Sequence, residues 1–249
     1  IIDRRKHNVE INKDLILKLS DRKTGAGCDQ VITIDNTNSL DHDARIQIFN
    51  SNGDRAEACG NGTRCVAKLL FEEKKTTKLK LRSLAGILKA QKINNDIISV
   101  NLGRISHNWK DIPLSKEVDT LNVPIQLDNF IYGVAVNIGN PHIVFFGKNI
   151  NLFDLENYGP QIENHYLFPN KTNVEVVEVV NHKILKMKVW ERGVGITLAC
   201  GSGACAAVYA SMLKGMTDNN VEVKLTNGSL KIKIQNNEAI MMGPAEESF

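Results

Sequence analysis

The chain has 249 residues, 42% of them hydrophobic and 24% charged, which is the composition of a globular protein and excludes the disordered, collagen-like and coiled-coil classes. Thirty-one Lys and Arg residues against 28 Asp and Glu residues leave a net charge of +3, too small and too evenly spread to predict a nucleic-acid partner or an anionic membrane surface. We expect a cytoplasmic protein with reduced thiols, because neither a membrane-spanning segment nor a signal peptide is visible and the five cysteines are an odd number.

The first half of the chain is predicted to form strands around one helix. A strand is predicted over Arg45–Phe49, and the glycine-rich segment ACGNGTRC follows it at 58–65. The apolar run Cys65–Phe71 predicts a buried helix that begins just after that segment. Two alternating strands around a turn at Gly86 are predicted within Leu79–Ile93.

The second half repeats this order of elements after a predicted linker near Gly103–Leu121. Its strands are predicted from β-branched, alternating segments, and its helix from an apolar run. In chain order the predicted elements are strands within Val134–Phe146, Asn173–Val180 and Leu185–Trp190, the glycine-rich segment ACGSGAC at 199–205, a helix over Cys205–Leu213, and two strands within Val223–Ile234.

An internal duplication relates the two halves. The first cysteines of the two glycine-rich segments, Cys59 and Cys200, lie 141 residues apart, and the flanking strands align at nearly the same spacing. We therefore predict an α/β fold with mixed sheets, in which two pseudo-symmetric domains each place a strand-rich sheet around a central helix, with the active site in the cleft between them. The predicted domains are residues 1–103 joined by the tail 244–249, carrying Cys59, and residues 104–243, carrying Cys200.

Both of these cysteines precede a helix that starts with a glycine-rich turn. The unpaired amides of a helix N-terminus favour a thiolate and can hold a carboxylate. Equivalent loops of duplicated domains commonly face each other, so we expect Cys59 and Cys200 to approach one ligand from opposite sides. One thiolate would remove an α-hydrogen while the opposite thiol delivers a proton to the other face, which inverts a chiral carbon without a redox cofactor.

Other interpretations of the cysteines stay open at this point. Cys59 and Cys200 could be small buried hydrophobic residues, as free cysteines often are, although their equivalent positions favour the reactive interpretation. Cys65 and Cys205 fit core packing better, and we expect a structural role for Cys28. The spacing does not favour a zinc site, and the loops lack a nucleotide-binding fingerprint.

Polar residues near the glycine-rich loops could adjust the thiols. Glu191 and Arg192 follow the strand that ends at Trp190, so the glutamate could shift the pKa of Cys200 and the arginine could bind a carboxylate. His142 could tune the other thiol. Taken alone, an exposed Glu-Arg pair is more often a surface ion pair, and a single His is more often a satisfied polar residue.

Taken in order, these motifs resemble the diaminopimelate epimerase family. The residues that carry the resemblance are TGAGCDQ, FNSNGDRAEACGNGTRC, GNPH, the pair Thr172-Asn173 and ERGVGITLACGSGACA. The resemblance implies a cytoplasmic homodimer that binds a small amino-acid substrate and interconverts LL- and meso-2,6-diaminopimelate for lysine and peptidoglycan synthesis, without pyridoxal phosphate, metal or other cofactor. It also implies an N-terminal Gly-Asn-Asp-Phe segment, which this sequence does not contain. The duplication separately predicts a short segment before Ile1, the counterpart of Gly139-Asn140-Pro141-His142.

The resemblance also implies roles for individual residues. Cys200 would be the proton acceptor and Cys59 the donor in the LL-to-meso direction, with His142 and Glu191 tuning the thiols. The residues implied for substrate binding are Gln30, Asn50, Gly60, Asn61, Asn140, Asn173, Glu191, Arg192, Gly201 and Ser202.

Two alternative functions remain open at this point. Proline and hydroxyproline racemases also use two cysteines on duplicated domains, although the several asparagines and Arg192 favour a diamino-diacid over a small ring. In a redox-sensing protein, Cys59 and Cys200 would form a disulfide on oxidation, but that role would not explain the glycine-rich loops.

Overall fold

The computed structural model describes residues 1–7, 9–57, 59–125, 130 and 133–246. Position 58, which opens the predicted segment ACGNGTRC, and positions 247–249 of the predicted tail lie outside the described residues. The chain divides into two compact units. Unit 1 comprises Ile1–Asn101 with the C-terminal residues from Gly243 onward, and unit 2 comprises Leu102–Met242.

Unit 1 is a mixed sheet with two helices. Its elements are β1 (Ile2–Asp3), α1 (Lys13–Ser20), β2 (Gln30–Asp35), β3 (Ala44–Asn50), β4 (Arg55–Ala56), α2 (Gly60–Lys74), β5 (Lys78–Ser83), β6 (Gly86–Lys92) and β7 (Ile97–Arg104), the last of which continues into unit 2. The sheet order is β1-β2-β3-β5-β6-β7, and β4 pairs with β3. The β1/β2 and β3/β5 pairs are parallel, whereas β2/β3, β5/β6 and β6/β7 are antiparallel.

The central helix of unit 1 is α2, which is longer than the predicted run Cys65–Phe71 and begins at Gly60. Its apolar residues Val66, Ala67 and Leu70 are fully buried, and the helix packs against β2, β5 and β6. In β5 every second residue is buried, which is the alternation expected of a strand with one face on a core. The glycine-rich segment therefore enters the helix rather than preceding it.

Unit 2 repeats this arrangement with one further strand. Its elements are β8 (Val134–Asn137), β9 (Pro141–Phe146), α3 (Leu155–Glu163), β10 (Asn173–Asn181), β11 (Ile184–Glu191), β12 (Gly195–Thr197), α4 (Gly201–Leu213), β13 (Asn220–Leu225), β14 (Gly228–Gln235) and β15 (Glu238–Pro244). The sheet order is β8-β9-β10-β11-β13-β14-β15, and β12 pairs with β11. The β9/β10 and β11/β13 pairs are parallel, whereas β10/β11, β13/β14 and β14/β15 are antiparallel.

The order of parallel and antiparallel pairs is the same from β1 to β7 as from β9 to β15. The duplicated α/β fold predicted from the sequence is therefore confirmed. In unit 2 all residues of α4 from Gly201 to Ser211 are buried, and the helix contacts β8, β9, β10, β11, β13 and β14. Its glycine, alanine and serine side chains are small enough for strands to approach on several sides.

Two short helices were not predicted from the sequence. In α1 the Asn12 side chain caps the helix by accepting a hydrogen bond of 2.9 Å from Leu15 N, and in α3 Asp154 accepts one of 3.2 Å from Asn157 N. Each helix places apolar residues at three- and four-residue spacing after an Asn or Asp cap, so the signal was present. None of the helices in the described part of the chain has the length and apolar character needed to cross a membrane.

Candidate active site

Cys59 is the N-cap residue of α2. Its Sγ accepts a hydrogen bond of 3.3 Å from Gly62 N, and Thr63 Oγ1 donates a hydrogen bond of 2.7 Å to the Cys59 carbonyl. An added Cβ at Gly62 would lie 2.1 Å from Ile32 Cδ1 and 3.2 Å from Cys59 Sγ. A side chain at position 62 would therefore displace the end of Ile32, because the helix turn that holds the sulfur is packed directly on β2.

The strand pair β2/β3 aligns two of the predicted substrate-binding residues. Gln30 and Asn50 are direct partners in the antiparallel register, and Gln30 Nε2 donates a hydrogen bond of 2.9 Å to Asn50 Oδ1. Both side chains are half-buried, as is Asn61 in the first turn of α2. The pairing fixes the orientation of both amides and leaves the Gln30 carbonyl oxygen and the Asn50 amide nitrogen for other partners.

Cys200 is the equivalent N-cap of α4 and is 5% exposed. Its Sγ accepts a hydrogen bond of 3.3 Å from Gly203 N and lies 3.5 Å from Ser202 Oγ. Burial, followed by the negative charges of Glu191 and Glu175, raises the pKa of the Cys200 thiol well above its ordinary value. The thiolate expected from the helix N-terminus is therefore wrong for Cys200, because the hydrogen bonds that favour it are outweighed by burial and nearby carboxylates.

Glu191 ends β11 and accepts a side-chain hydrogen bond from its own unit. Thr197 Oγ1 donates to Glu191 Oε1, because β12 folds back antiparallel on β11. Burial raises the pKa of Glu191, and hydrogen bonds from Thr197 and from the Cys200 thiol offset this only in part. A carboxylate of raised pKa whose charge acts on the Cys200 thiol is suited to take the proton of that thiol.

His142 forms a buried pair with a carboxylate that the sequence analysis did not select. His142 Nδ1 lies 2.7 Å from Glu175 Oε1, and both side chains are fully buried. His142 Nε2 lies 2.8 Å from Asn140 Oδ1. The sequence signal that could have identified Glu175 is its position in the apolar strand segment Asn173–Val177. All residues of this segment are buried, and a buried carboxylate needs a partner.

Asn173 connects two segments of unit 2. Its Nδ2 donates a hydrogen bond of 2.8 Å to the Pro141 carbonyl, and its Oδ1 accepts one of 3.0 Å from Arg192 N. With 3% of its surface exposed, this side chain positions the start of β9 and the loop after β11. The Arg192 guanidinium Nη1 donates a hydrogen bond of 3.2 Å to the Asn170 carbonyl.

The five cysteines form no disulfide among the described residues, and Cys205 is fully buried in α4. Cys28 Sγ lies 3.8 Å from Ser20 Oγ in unit 1. Across the residues that the structure describes, no group of three or more His, Cys, Asp or Glu side chains is placed to hold a metal ion.

The family model and the curated relatives point to one family. The family model for diaminopimelate epimerase matches residues 1–108 and 134–247. A diaminopimelate epimerase of Pelagibacter ubique is 42% identical over 253 residues, covering 99% of this chain and 91% of the relative. A diaminopimelate epimerase from a Wolbachia of Drosophila simulans is 46% identical over 213 residues, covering 85% of this chain and 80% of the relative. A solved hydroxyproline epimerase from Agrobacterium vitis shares the fold, with a TM-score of 0.68 at 13% identity over 93% of this chain and 77% of that chain.

Proposed function

This chain belongs to the diaminopimelate epimerase family, and from that premise we propose that it interconverts LL- and meso-2,6-diaminopimelate by proton transfer between two cysteines and the substrate. The observation that best supports the proposal is that Cys59 and Cys200 are both helix N-cap residues. Cys59 and Cys200 each accept a hydrogen bond from the third residue of a helix, at equivalent places in a duplicated fold. The chain is accordingly an isomerase.

The proposed reaction begins with the proton of Cys200. A raised pKa keeps this thiol protonated, so a base is needed to form the thiolate. The Glu191 carboxylate accepts the proton in this proposal. That thiolate removes the α-hydrogen of the substrate as a proton, and the electron pair of the broken C–H bond stays on the substrate. The Cys59 thiol then gives its proton to the opposite face, which inverts the carbon.

The proton balance closes without any electron transfer. After one turnover Cys200 is a thiol again, Cys59 is a thiolate and Glu191 is protonated. Exchange with solvent returns one proton to Cys59 and removes one from Glu191. No atom changes its oxidation state, so the proposed mechanism needs no redox cofactor. Pyridoxal phosphate has no part in the proposal.

The substrate-binding residues are part of the same proposal. The amides at the start of α2 and α4, Gly60, Asn61, Gly201 and Ser202, would hold the carboxylate of the reacting carbon, because helix N-termini favour anions. The distal amino-acid group of the substrate needs both donors and acceptors. The side chains proposed to supply them are Gln30, Asn50, Asn140, Asn173 and Arg192.

Assembly and location are proposed from family membership alone. The proposal is a cytoplasmic homodimer without a bound cofactor. Sedimentation of the purified protein at micromolar concentration tests the dimer. Unchanged activity after extensive dialysis against a chelator and hydroxylamine tests the absence of metal and pyridoxal phosphate.

The decisive experiment is α-hydrogen exchange in deuterated water with LL-diaminopimelate. We expect inversion with one deuterium incorporated per turnover, abolished by Cys59→Ala and by Cys200→Ala. Cys28→Ala is the matched control, because this thiol takes no part in the proposed chemistry. A fully reduced protein that neither exchanges nor inverts this substrate would remove the proposed function.

A further inference from the structure

A surface cavity of about 530 Å³ lies in unit 1, where the loop between β2 and β3 meets the strands β3 and β5. Small-molecule sites have volumes of about 300–1,000 Å³. The cavity is lined by the polar loop residues 36–39 and by His42, Arg45 and Arg82. Among the described residues, none that lines it is acidic, and the proposed reaction uses none of them.

Two arginines stand side by side in this cavity. Arg45 in β3 and Arg82 in β5 are direct partners in the parallel register, so both side chains leave the same face of the sheet from strands about 4.8 Å apart. Both residues are exposed, and within the described part of the chain neither forms an ion pair or a side-chain hydrogen bond. Like charges at paired positions of a sheet are destabilising, and a bound anion would relieve this repulsion.

The carboxylates near the cavity do not neutralise these arginines. Asp35 lies directly opposite Arg45 in the β2/β3 register, but it accepts two other side-chain hydrogen bonds and pairs with Arg4 at 3.2 Å. Asp43 Oδ2 accepts a hydrogen bond of 2.8 Å from a backbone amide of β5. Asp41 is exposed in the loop and does not line the cavity. The cavity therefore keeps an excess of positive charge.

The duplication provides an internal comparison. Lys186 and Lys224 hold the equivalent paired positions on β11 and β13 of unit 2. There Glu178, the counterpart of Asp35, lies directly opposite Lys186 and forms an ion pair with it at 3.1 Å. A two-residue turn joins β10 to β11, whereas the longer loop 36–43 joins β2 to β3. The duplicated fold therefore requires neither the uncompensated pair of cations nor the loop beside it.

The loop adds hydrogen-bonding groups to the two guanidinium groups. Ser39 Oγ accepts a hydrogen bond of 3.1 Å from Asp41 N, so its own O–H proton is left for an acceptor. Thr37 Oγ1 accepts one of 3.1 Å from Ser39 N, and Asn38 is exposed between them with an amide group. Guanidinium groups match the oxygens of a phosphate group bidentately. Among the described residues no Phe, Tyr or Trp lines the cavity, so a nucleobase would find no such ring to stack on.

From these observations we propose that the cavity binds a small phosphate monoester. Arg45 and Arg82 contact the phosphate group, whose charge of about −1.5 to −2 at neutral pH matches two cations, and the loop contacts the polar remainder of the ligand. The cavity is separate from the candidate site residues of unit 1, because Arg45 and Asn50 lie near opposite ends of β3, roughly 17 Å apart at the rise of a strand. The binding proposed here does not depend on epimerase activity.

Glycerol 3-phosphate, titrated into the whole protein at constant ionic strength, tests this assignment. The ¹H–¹⁵N signals of the Arg45 and Arg82 Nε–H groups, assigned by their loss in Arg45→Gln and Arg82→Gln, should shift and saturate. The dissociation constant read from the Arg45 signal should rise at least about tenfold in Arg82→Gln, because one charge-assisted contact is lost. Acetate at the same concentration should shift these signals far less.

Lys224→Gln is the matched control, because it removes the same charge at the equivalent strand position of unit 2, outside the cavity. It should change the dissociation constant less than about twofold. Equal weakening in Lys224→Gln and Arg82→Gln would overturn the proposal, since the protein would then respond only to net charge. Arginine signals that do not move with glycerol 3-phosphate, or that move equally with acetate, would also overturn it, and this wild-type comparison stands even if one variant fails to fold.

Discussion

Trp190 Nε1 donates a hydrogen bond of 2.7 Å to Glu163 Oε2. The other carboxylate oxygen of Glu163 accepts a hydrogen bond of 3.0 Å from Gly193 N. Glu163 is 5% exposed at the end of α3, so a single buried side chain holds both ends of the segment that contains Glu191 and Arg192.

Removing this carboxylate should loosen that segment. We expect Glu163→Ala to lower the free energy of unfolding by about 2 kcal/mol, because two donors are left unsatisfied. The rate of epimerisation should fall several-fold, since Glu191 would no longer be held beside Cys200. Urea denaturation and initial rates test both effects.

Glu156→Gln is the control for that comparison, because Glu156 is exposed on the first turn of the same helix. It should change neither quantity by a measurable amount. Equal losses in the two variants would mean that the carboxylate of Glu163 has no special role in positioning the loop.

The reactivity of Cys200 should respond to Glu191. Burial and the charge of Glu191 raise the pKa of this thiol, so alkylation by iodoacetamide should be slow at neutral pH and accelerate above pH 9. Glu191→Gln should increase the alkylation rate at a fixed pH by removing one negative charge, while it slows epimerisation by removing the proton acceptor. Mass spectrometry of the Cys200 peptide gives the rate, and the Cys28 peptide in the same sample is the internal reference. Slower alkylation in the variant would contradict the assignment.

The pH dependence of stability provides an independent check on Glu191. Burial raises the pKa of this carboxyl above its ordinary value of 4.5, so the folded state binds the proton more tightly than the unfolded state. The stability that this group contributes is full below that value and is lost as the pH rises through the folded pKa. The stability of wild type relative to Glu191→Gln should therefore fall as the pH increases from 4 toward neutrality in urea titrations.

In the same experiment, the contribution of Glu178 to stability should depend on pH in the opposite direction. Its hydrogen bond with Lys186 is the main cause of its lowered pKa, so its small contribution is present above the ordinary value and is lost as the pH falls. The stability of wild type relative to Glu178→Gln should decrease toward acid. Parallel trends in the two variants would show that the dependence does not come from the environment of Glu191.

Replacing Gly203 with alanine should destabilise the protein, although a glycine-to-alanine change ordinarily stabilises a helix. An alanine in place of glycine within a helix gains up to about 1 kcal/mol. Here the added Cβ would lie 2.8 Å from Glu175 Oε1 and 3.3 Å from Cys200 Sγ, so we expect Gly203→Ala to lose about 1–3 kcal/mol of stability together with activity. Thermal unfolding and the exchange assay measure the two effects, and a more stable, active variant would be inconsistent with this packing.

The sequence alone determined the duplication and the elements that carry it. The segments around Cys59 and Cys200 repeat with their flanking strands, and such a pattern depends only on local turns, helix starts and alternation along the chain. Glu191 and His142 were named from position in the motifs. The short helices α1 and α3 were missed although Asn12 and Asp154 are recognisable caps, because each buries only a narrow apolar face.

The electrostatics of the candidate site depend on contacts between distant parts of the chain. The helix N-terminus at Cys200 predicted a lowered thiol pKa, but burial and two carboxylates reverse its direction. Glu175 meets His142 across paired strands, and Glu163 meets Trp190 from a separate helix. The sign of a pKa shift depends on desolvation and on charges brought together from distant parts of the chain, and neither quantity is encoded in the local pattern of residues.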